Sequence, residues 1–322
     1  VSRLGRLLAI CLVAGAAEAA PVTQIHWVMG TYLRVTAEGD GTPSALRACF
    51  ADARRLDEVF SRFDPESELS RLHRTRTQRA SREFADLLGR SLLLGQRTGG
   101  AFDVTAGALT ALWRSGGVPD AAAIAAARAT LGGVGRSGEN VRIAPGTALD
   151  FDGVAKGYAV DACVARLRRI HVRRAFVSFG ESSLYALGSP PEGGAWEVAV
   201  RGLDPDTVIG ILQLRDQAVS VSATRGSSRR QKVIVDPASG KALDDDRLAV
   251  VVAPAATEAE AYSKALLVWG TGGVDRLERI DGVRAMAVST HGVETGPAMR
   301  GTGTFISMPV PQPLRAVEDG LP

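Results

Sequence analysis

The run Leu149-Asp150-Phe151-Asp152-Gly153-Val154-Ala155-Lys156-Gly157-Tyr158-Ala159-Val160-Asp161 constrains this chain more than any other stretch. Its pattern predicts a strand ending on acidic residues, a turn flanked by Gly153 and Gly157 that presents Lys156, and a helix from about Tyr158 to about Ile170. A strand end, a helix start and one cation are thereby brought to one point. Backbone N–H groups at a helix N-terminus, beside a lysine and approached over glycine, suit a pyrophosphate. The same residues suit a plain strand-to-helix turn with a solvated lysine, and on this stretch alone the two readings stand level. No Gly-Lys-Ser/Thr follows a four-residue spacer, so this is not a Walker A loop.

The start of the chain reads differently. Arg3 and Arg6 precede the apolar run Leu7 to Ala14, and Ala17-Glu18-Ala19-Ala20 has the small-residue spacing of a cleavage site, so residues 1–20 are expected to be a secretory signal peptide. Export to the periplasm as a soluble protein follows as an expectation. A lipid anchor at Cys11 is disfavoured by the bulky Ile10 before it. Residues 21–308 are expected to form one domain and 309–322 a proline-bearing tail. The net charge of +3 comes from scattered residues, which excludes a basic stripe for nucleic acid. Cys49 and Cys163 both lie in helical patterns; they do not imply a disulfide framework, and one bridge between them stays open. His26, His73, His171 and His291 have no metal-ligand spacing.

Between these landmarks, helices are expected at about Ser44–Phe63, Ser81–Arg97, Pro119–Leu131 and Thr257–Gly270, with short ones after Asp64-Pro65 and near Val274. Strands are expected at Tyr32–Ala37, near Val141 and Leu149, and over Arg174–Gly180, Trp196–Val200, Val208–Leu214, Ala218–Ser222, Val233–Val235 and Leu248–Val252, with others near Ala285 and Thr304. The loop Thr98 to Gly107, taken alone, favours a helix C-cap followed by an ordinary turn. The order of elements gives a single α+β domain with mixed or antiparallel sheets and packed helices, and residues near 40–135 can form a lobe.

Five segments in order then carry a resemblance: Met29-Gly30-Thr31, Ser67-Glu68-Leu69-Ser70-Arg71-Leu72, Gly99-Gly100-Ala101-Phe102-Asp103, Asp152 through Asp161, and Asp236-Pro237 with Gly240. From Met29 to about Gly270 the chain resembles the ApbE-type FAD:protein FMN transferases, secreted enzymes that split FAD and attach its FMN half to a threonine of an acceptor protein. The resemblance implies one ApbE-like, T-fold-related domain, with FAD as substrate and Mg²⁺ as cofactor. It also implies a partner, an acceptor flavoprotein of a membrane electron-transfer system. Lys156 is implied as the catalytic cation at the pyrophosphate, and the backbone at Ala155 together with Glu260 as the metal site. Ser67, Glu68 and Asp103 are implied at the flavin and adenosine, Met29 and Thr31 at the mouth, and Asp161, Thr224 and Arg225 as further contacts to FAD. Attack of a hydroxyl on the FMN-side phosphorus calls for neutralised phosphate charge, which a lysine and Mg²⁺ would supply together.

The chain also departs from that pattern. Where the family has Asp-Ala followed by a threonine, this sequence has Glu260-Ala261 and Lys264. Glutamate can still bind Mg²⁺, but a charged lysine cannot, and its ammonium can take the cation's place. Thr257-x-x-Glu260 is equally a capping-box spacing. Val233 stands where the family often has a histidine, Thr224-Arg225-Gly226 replaces Thr-Ser-Gly, and Gly180-Glu181-Ser182 replaces Gly-Gly-Asp. Valine has no proton to move. Two rival functions therefore accompany transfer: FAD binding without turnover, and hydrolysis of FAD to FMN and AMP. A purely structural protein would leave the five ordered segments unexplained.

Overall fold

The computed structural model describes residues 21–39, 41–204, 206–224 and 233–305. The expected leader at 1–20, Arg225 and the tail from 309 lie outside the described residues.

The chain enters through a hairpin, β1 (Val22–Val28) and β2 (Thr31–Glu38), whose two-residue turn places Met29 at φ 48° and Gly30 at φ 71°. Two positive φ values give the turn twist that suits adjacent antiparallel strands. Helices α1 (Thr42–Phe60) and α2 (Glu68–Thr75), strand β3 (Thr77–Arg79), and helices α3 (Arg82–Arg97), α4 (Gly107–Arg114) and α5 (Ala121–Arg128) follow. The hairpin β4 (Val134–Ser137) and β5 (Asn140–Ile143) then leads to α6 (Ala155–Arg169). Strands β6 (Arg174–Phe179), β7 (Ser183–Leu187), β8 (Trp196–Arg201), β9 (Val208–Leu214), β10 (Gln217–Ala223) and β11 (Arg247–Ala253) come next. Helices α7 (Ala256–Trp269) and α8 (Val274–Glu278), strands β12 (Arg284–Ser289) and β13 (Gly292–Thr295), helix α9 (Pro297–Arg300) and strand β14 (Gly303–Phe305) complete the described chain.

Eight strands form one antiparallel sheet in the order β1-β2-β6-β7-β10-β11-β12-β13. The β3-β5-β4 and β14-β9-β8 sheets are smaller and also antiparallel. Strand β11 shows why the large sheet is the middle layer. Ala249, Val251 and Ala253 face the helices, whereas Leu248, Val250 and Val252 face the small sheet with Val198, Val200 and Leu212. A strand covered on both faces reads as an unbroken apolar run, which is what Leu248 to Ala253 shows. Each buried valine or leucine contributes about 1.5–3 kcal/mol of hydrophobic stabilisation. On the helical side, α1 buries Ala45, Leu46, Cys49, Phe50, Ala53 and Leu56 at the spacing the sequence predicted. Cys49 and Cys163 are joined in a disulfide that ties α1 to α6, closing the alternative left open above.

Several expectations need correction. The lysine helix begins at Ala155, not near Tyr158, so Lys156 lies inside its first turn. Leu149 to Asp152 form no strand, because their backbone is taken by loops: the Leu149 N–H goes to His73 Nε2 at 3.0 Å and the Asp150 N–H to the Val104 carbonyl at 2.8 Å. Val233 to Val235 form only one bridge, Val235 to Ala242. The alanine-rich helix is shorter than expected and buries no residue fully. Strands β1, β3, β4, β7 and β13 and helices α4 and α9 are not among the expected elements.

Candidate active site

Four parts of the chain wall a cleft of about 760 Å³. Ala101-Phe102-Asp103 form one wall and Asp150, Asp152, Gly153 and Lys156 the floor. Val233, Ile234, Val235 and Pro237 face them, and the end of β10 closes the cleft with Lys264 and Val268 of α7.

Each wall is fixed by its own local chemistry. Thr98 ends α3, and its hydroxyl accepts the Phe102 N–H at 3.2 Å, so the C-cap expected for this loop also aims Phe102 and Asp103. Asp103 Oδ1 accepts the Thr105 N–H at 2.7 Å and its hydroxyl at 2.6 Å. In the Asp236 turn, the aspartate accepts the Ala238 and Ser239 N–H groups, and Trp113 Nε1 donates to the Gly240 carbonyl at 2.9 Å. Gly240, at φ 73°, has no room for a side chain against Ile124 and Arg128 of α5.

The floor holds the charges. Lys156 Nζ donates to Ser182 Oγ at 2.7 Å and stands 3.7 Å from Glu260 Oε1. Lys264 Nζ donates to Ser222 Oγ at 2.8 Å. At the rim, Arg114 reaches Asp150 and Asp152, both at 3.0 Å, and Arg62 reaches Asp152 at 2.8 Å. Burial, then the Asp152 charge, pushes the Asp150 carboxyl up, against the pull of Arg114.

Two helix starts meet behind this floor and complete each other. Asp161 of α6 accepts the Ala256 N–H at 2.7 Å, the Thr257 N–H at 3.0 Å and the Thr257 hydroxyl at 2.6 Å, which caps α7. Glu260 of α7 accepts the Gly157 N–H at 2.8 Å with Oε2, within the first turn of α6, and the Ser183 hydroxyl with Oε1. Both helices lack a side-chain cap of their own. The approach needs glycine, since a Cβ on Gly157 would lie 2.5 Å from the Ala256 carbonyl oxygen. The capping box expected at Thr257 and Glu260 does not form. Helix α7 starts one residue before Thr257, and Glu260 turns toward the neighbouring helix.

These residues do not fit Mg²⁺. Among the described residues no three His, Cys, Asp or Glu side chains are grouped to hold a metal. Glu260 is 1% exposed with both oxygens engaged, and it lies behind the wall rather than in it. Ala155 opens α6, so its carbonyl runs along the helix axis, next after that of Val154, which accepts the Tyr158 N–H at 3.0 Å. Lys264 faces the cleft where an oxygen ligand was expected.

Of the residues the resemblance implied, Asp103 and Lys156 line the cleft. Ser67 is buried and caps α2 through the Ser70 N–H, and Glu68 accepts the Ser81 N–H at 2.7 Å; both are committed to the fold. Met29 forms the β1–β2 turn, and Thr31 packs against Gly180, two residues before Ser182. Asp161 caps α7, and Thr224 accepts the Arg247 N–H at 2.9 Å, so neither belongs to the cleft wall. Ser182 and Ser222, the partners of the two lysines, were missed. So was the pairing of Arg62 and Arg114 with Asp150 and Asp152, whose members stand far apart in sequence and give no local signal. An Asp-x-Asp ahead of the lysine was the one visible hint.

The architecture defines an antiparallel α+β protein whose cleft carries one lysine from the first turn of α6 and one from the middle of α7. A family model described as the ApbE family matches residues 29–287, and the chain belongs to that family. Relatives include a FAD:protein FMN transferase of Klebsiella pneumoniae, 29% identical over 291 residues that cover 82% of this chain and 83% of the relative. The enzyme of the same name from Escherichia coli K12 is 25% identical over the same shares. Among solved structures, the ApbE protein of Thermotoga maritima superposes with a TM-score of 0.80 at 23% identity, covering 88% of this chain and 100% of that one. The apo flavinyl transferase ApbE of Pseudomonas stutzeri gives 0.78 at 24%, covering 89% and 99%.

Proposed function

We propose that the chain binds FAD in this cleft and transfers its FMN half to a threonine hydroxyl of an acceptor protein, releasing AMP. The observation that carries the reading is Lys156, set in the first turn of α6 and lining a cleft of about 760 Å³, toward the upper end for small-molecule sites. The names of the relatives support it. In this reading the Lys156 ammonium meets the pyrophosphate, and Phe102, Val233 and Ile234 offer apolar contact to a ring. A threonine O–P bond forms as the P–O bond to AMP breaks, and the hydroxyl proton leaves. Val233 cannot take that proton; Asp150, its carboxyl raised by burial, is suited to do so. The leader read at 1–20 and the Cys49–Cys163 disulfide support an exported, periplasmic enzyme. The acceptor would then be an exported or membrane-associated electron-transfer flavoprotein.

Intact-mass spectrometry of an acceptor fragment incubated with the protein and FAD tests this: an FMN-sized adduct is expected, and its absence contradicts transfer. Val233 favours one rival reading, FAD binding without turnover. AMP release above that of Lys156→Ala removes that rival, and AMP release without an adduct points to hydrolysis.

A further inference from the structure

With FAD as the ligand, a premise taken from the function proposed above, we infer that Lys264 supplies the positive charge a divalent cation would otherwise bring to the pyrophosphate, so that the dinucleotide is held without a metal. Lys264 follows Glu260 by one helical turn on α7, and its Cγ lies 3.7 Å from where a Gly153 Cβ would stand. The stem of Lys264 therefore passes the glycine of the lysine turn, and Lys156, Gly153 and Lys264 line the same cleft.

A chain of hydroxyls aims the second ammonium. Ser222 Oγ accepts from Lys264 and lies 2.8 Å from Ser263 Oγ, which is 3.0 Å from Ser220 Oγ and donates to the Glu260 carbonyl at 2.9 Å. Ser220 and Ser263 are buried at 1% and 0% exposure, so this orientation is built into the core. Ser182 aims Lys156 in the same manner. Each lysine thus donates one hydrogen bond to a neutral serine hydroxyl, a bond that orients the ammonium without cancelling its charge.

The carboxylates are arranged against a metal. Asp150 and Asp152 turn to the rim arginines, Asp103 Oδ1 turns to Thr105, and Glu260 is closed off behind the floor. A divalent ion placed at the pyrophosphate would meet the Lys264 charge, while the Asp150 and Asp152 carboxylates of the same cleft are paired with arginines. An ammonium needs no coordination polyhedron and acts as a point charge.

Calorimetric titration of FAD into the full protein, in EDTA and in excess Mg²⁺, tests this. The wild type is expected to bind within about twofold equally in both buffers, and Lys264→Thr to bind about tenfold more weakly or worse in EDTA. Lys264→Arg keeps the charge and is expected to keep EDTA-resistant binding, which separates loss of charge from loss of fold. Binding by the wild type that needs Mg²⁺, or undiminished binding by Lys264→Thr in EDTA, overturns the inference alone. No FAD binding by the wild type in either buffer overturns both the inference and the FAD reading.

Discussion

Lys156 and Lys264 sit on different helices, yet each is steered by a serine from the central sheet or its turns, so the cleft's charge is set by rigid elements. Lys156→Ala is expected to weaken FAD binding at least about tenfold and, by leaving the buried Glu260 without its neighbouring cation, to lower the melting temperature as well. His73 behaves differently. Its Nε2 accepts the Leu149 N–H, a bond open only to the neutral ring, and burial followed by the Arg76 charge holds the imidazole below its ordinary value of 6.5. Below that value the folded chain binds fewer protons than the unfolded one. The stability this residue contributes is complete above about pH 6.5 and is lost as the pH falls toward the depressed folded value. His73→Gln keeps an acceptor that does not titrate and should flatten the melting-temperature profile between about pH 7 and about pH 5; an unchanged slope there would refute the assignment.

Helices α6 and α7 exchange carboxylates, and this pairing positions both lysines. Asp161→Ala removes the acceptor of three hydrogen bonds at the start of α7 and is expected to cost about 1–3 kcal/mol in denaturant unfolding. Gly157→Ala forces a methyl against the Ala256 carbonyl and should cost about 1–3 kcal/mol while also weakening FAD binding, since both lysine-bearing helices must shift. The sequence made the helices themselves legible, because the apolar spacing in α1 and α7 depends on local pattern alone. It did not show who caps whom. Asp161 was read as a cofactor contact and Glu260 as a metal ligand or its own helix's cap, whereas each side chain answers N–H groups about a hundred residues away. Strand β1 was missed although Val22 to Val28 run straight into a two-residue turn, because its outward residues Ile25 and Trp27 stay exposed and blur the alternation.

Across the whole molecule, the antiparallel α+β class followed from the succession of patterns, and the family from five short segments in order. The cleft was half legible: Asp103 and Lys156 belong to it, and the serines and rim arginines emerged only once distant strands were brought together. The Cys49–Cys163 bridge closes a separation of 114 residues between α1 and α6. Replacing both cysteines with alanine, or reducing the protein, should lower unfolding free energy by about 2–5 kcal/mol, read from denaturant melts with and without reductant. The crossed carboxylates of Asp161 and Glu260 carry one more consequence. A lysine turn transplanted into another scaffold would arrive with an unfinished helix end, so the anion-binding loop is not portable, and random mutagenesis aimed at activity will recover many chains that simply fail to accumulate.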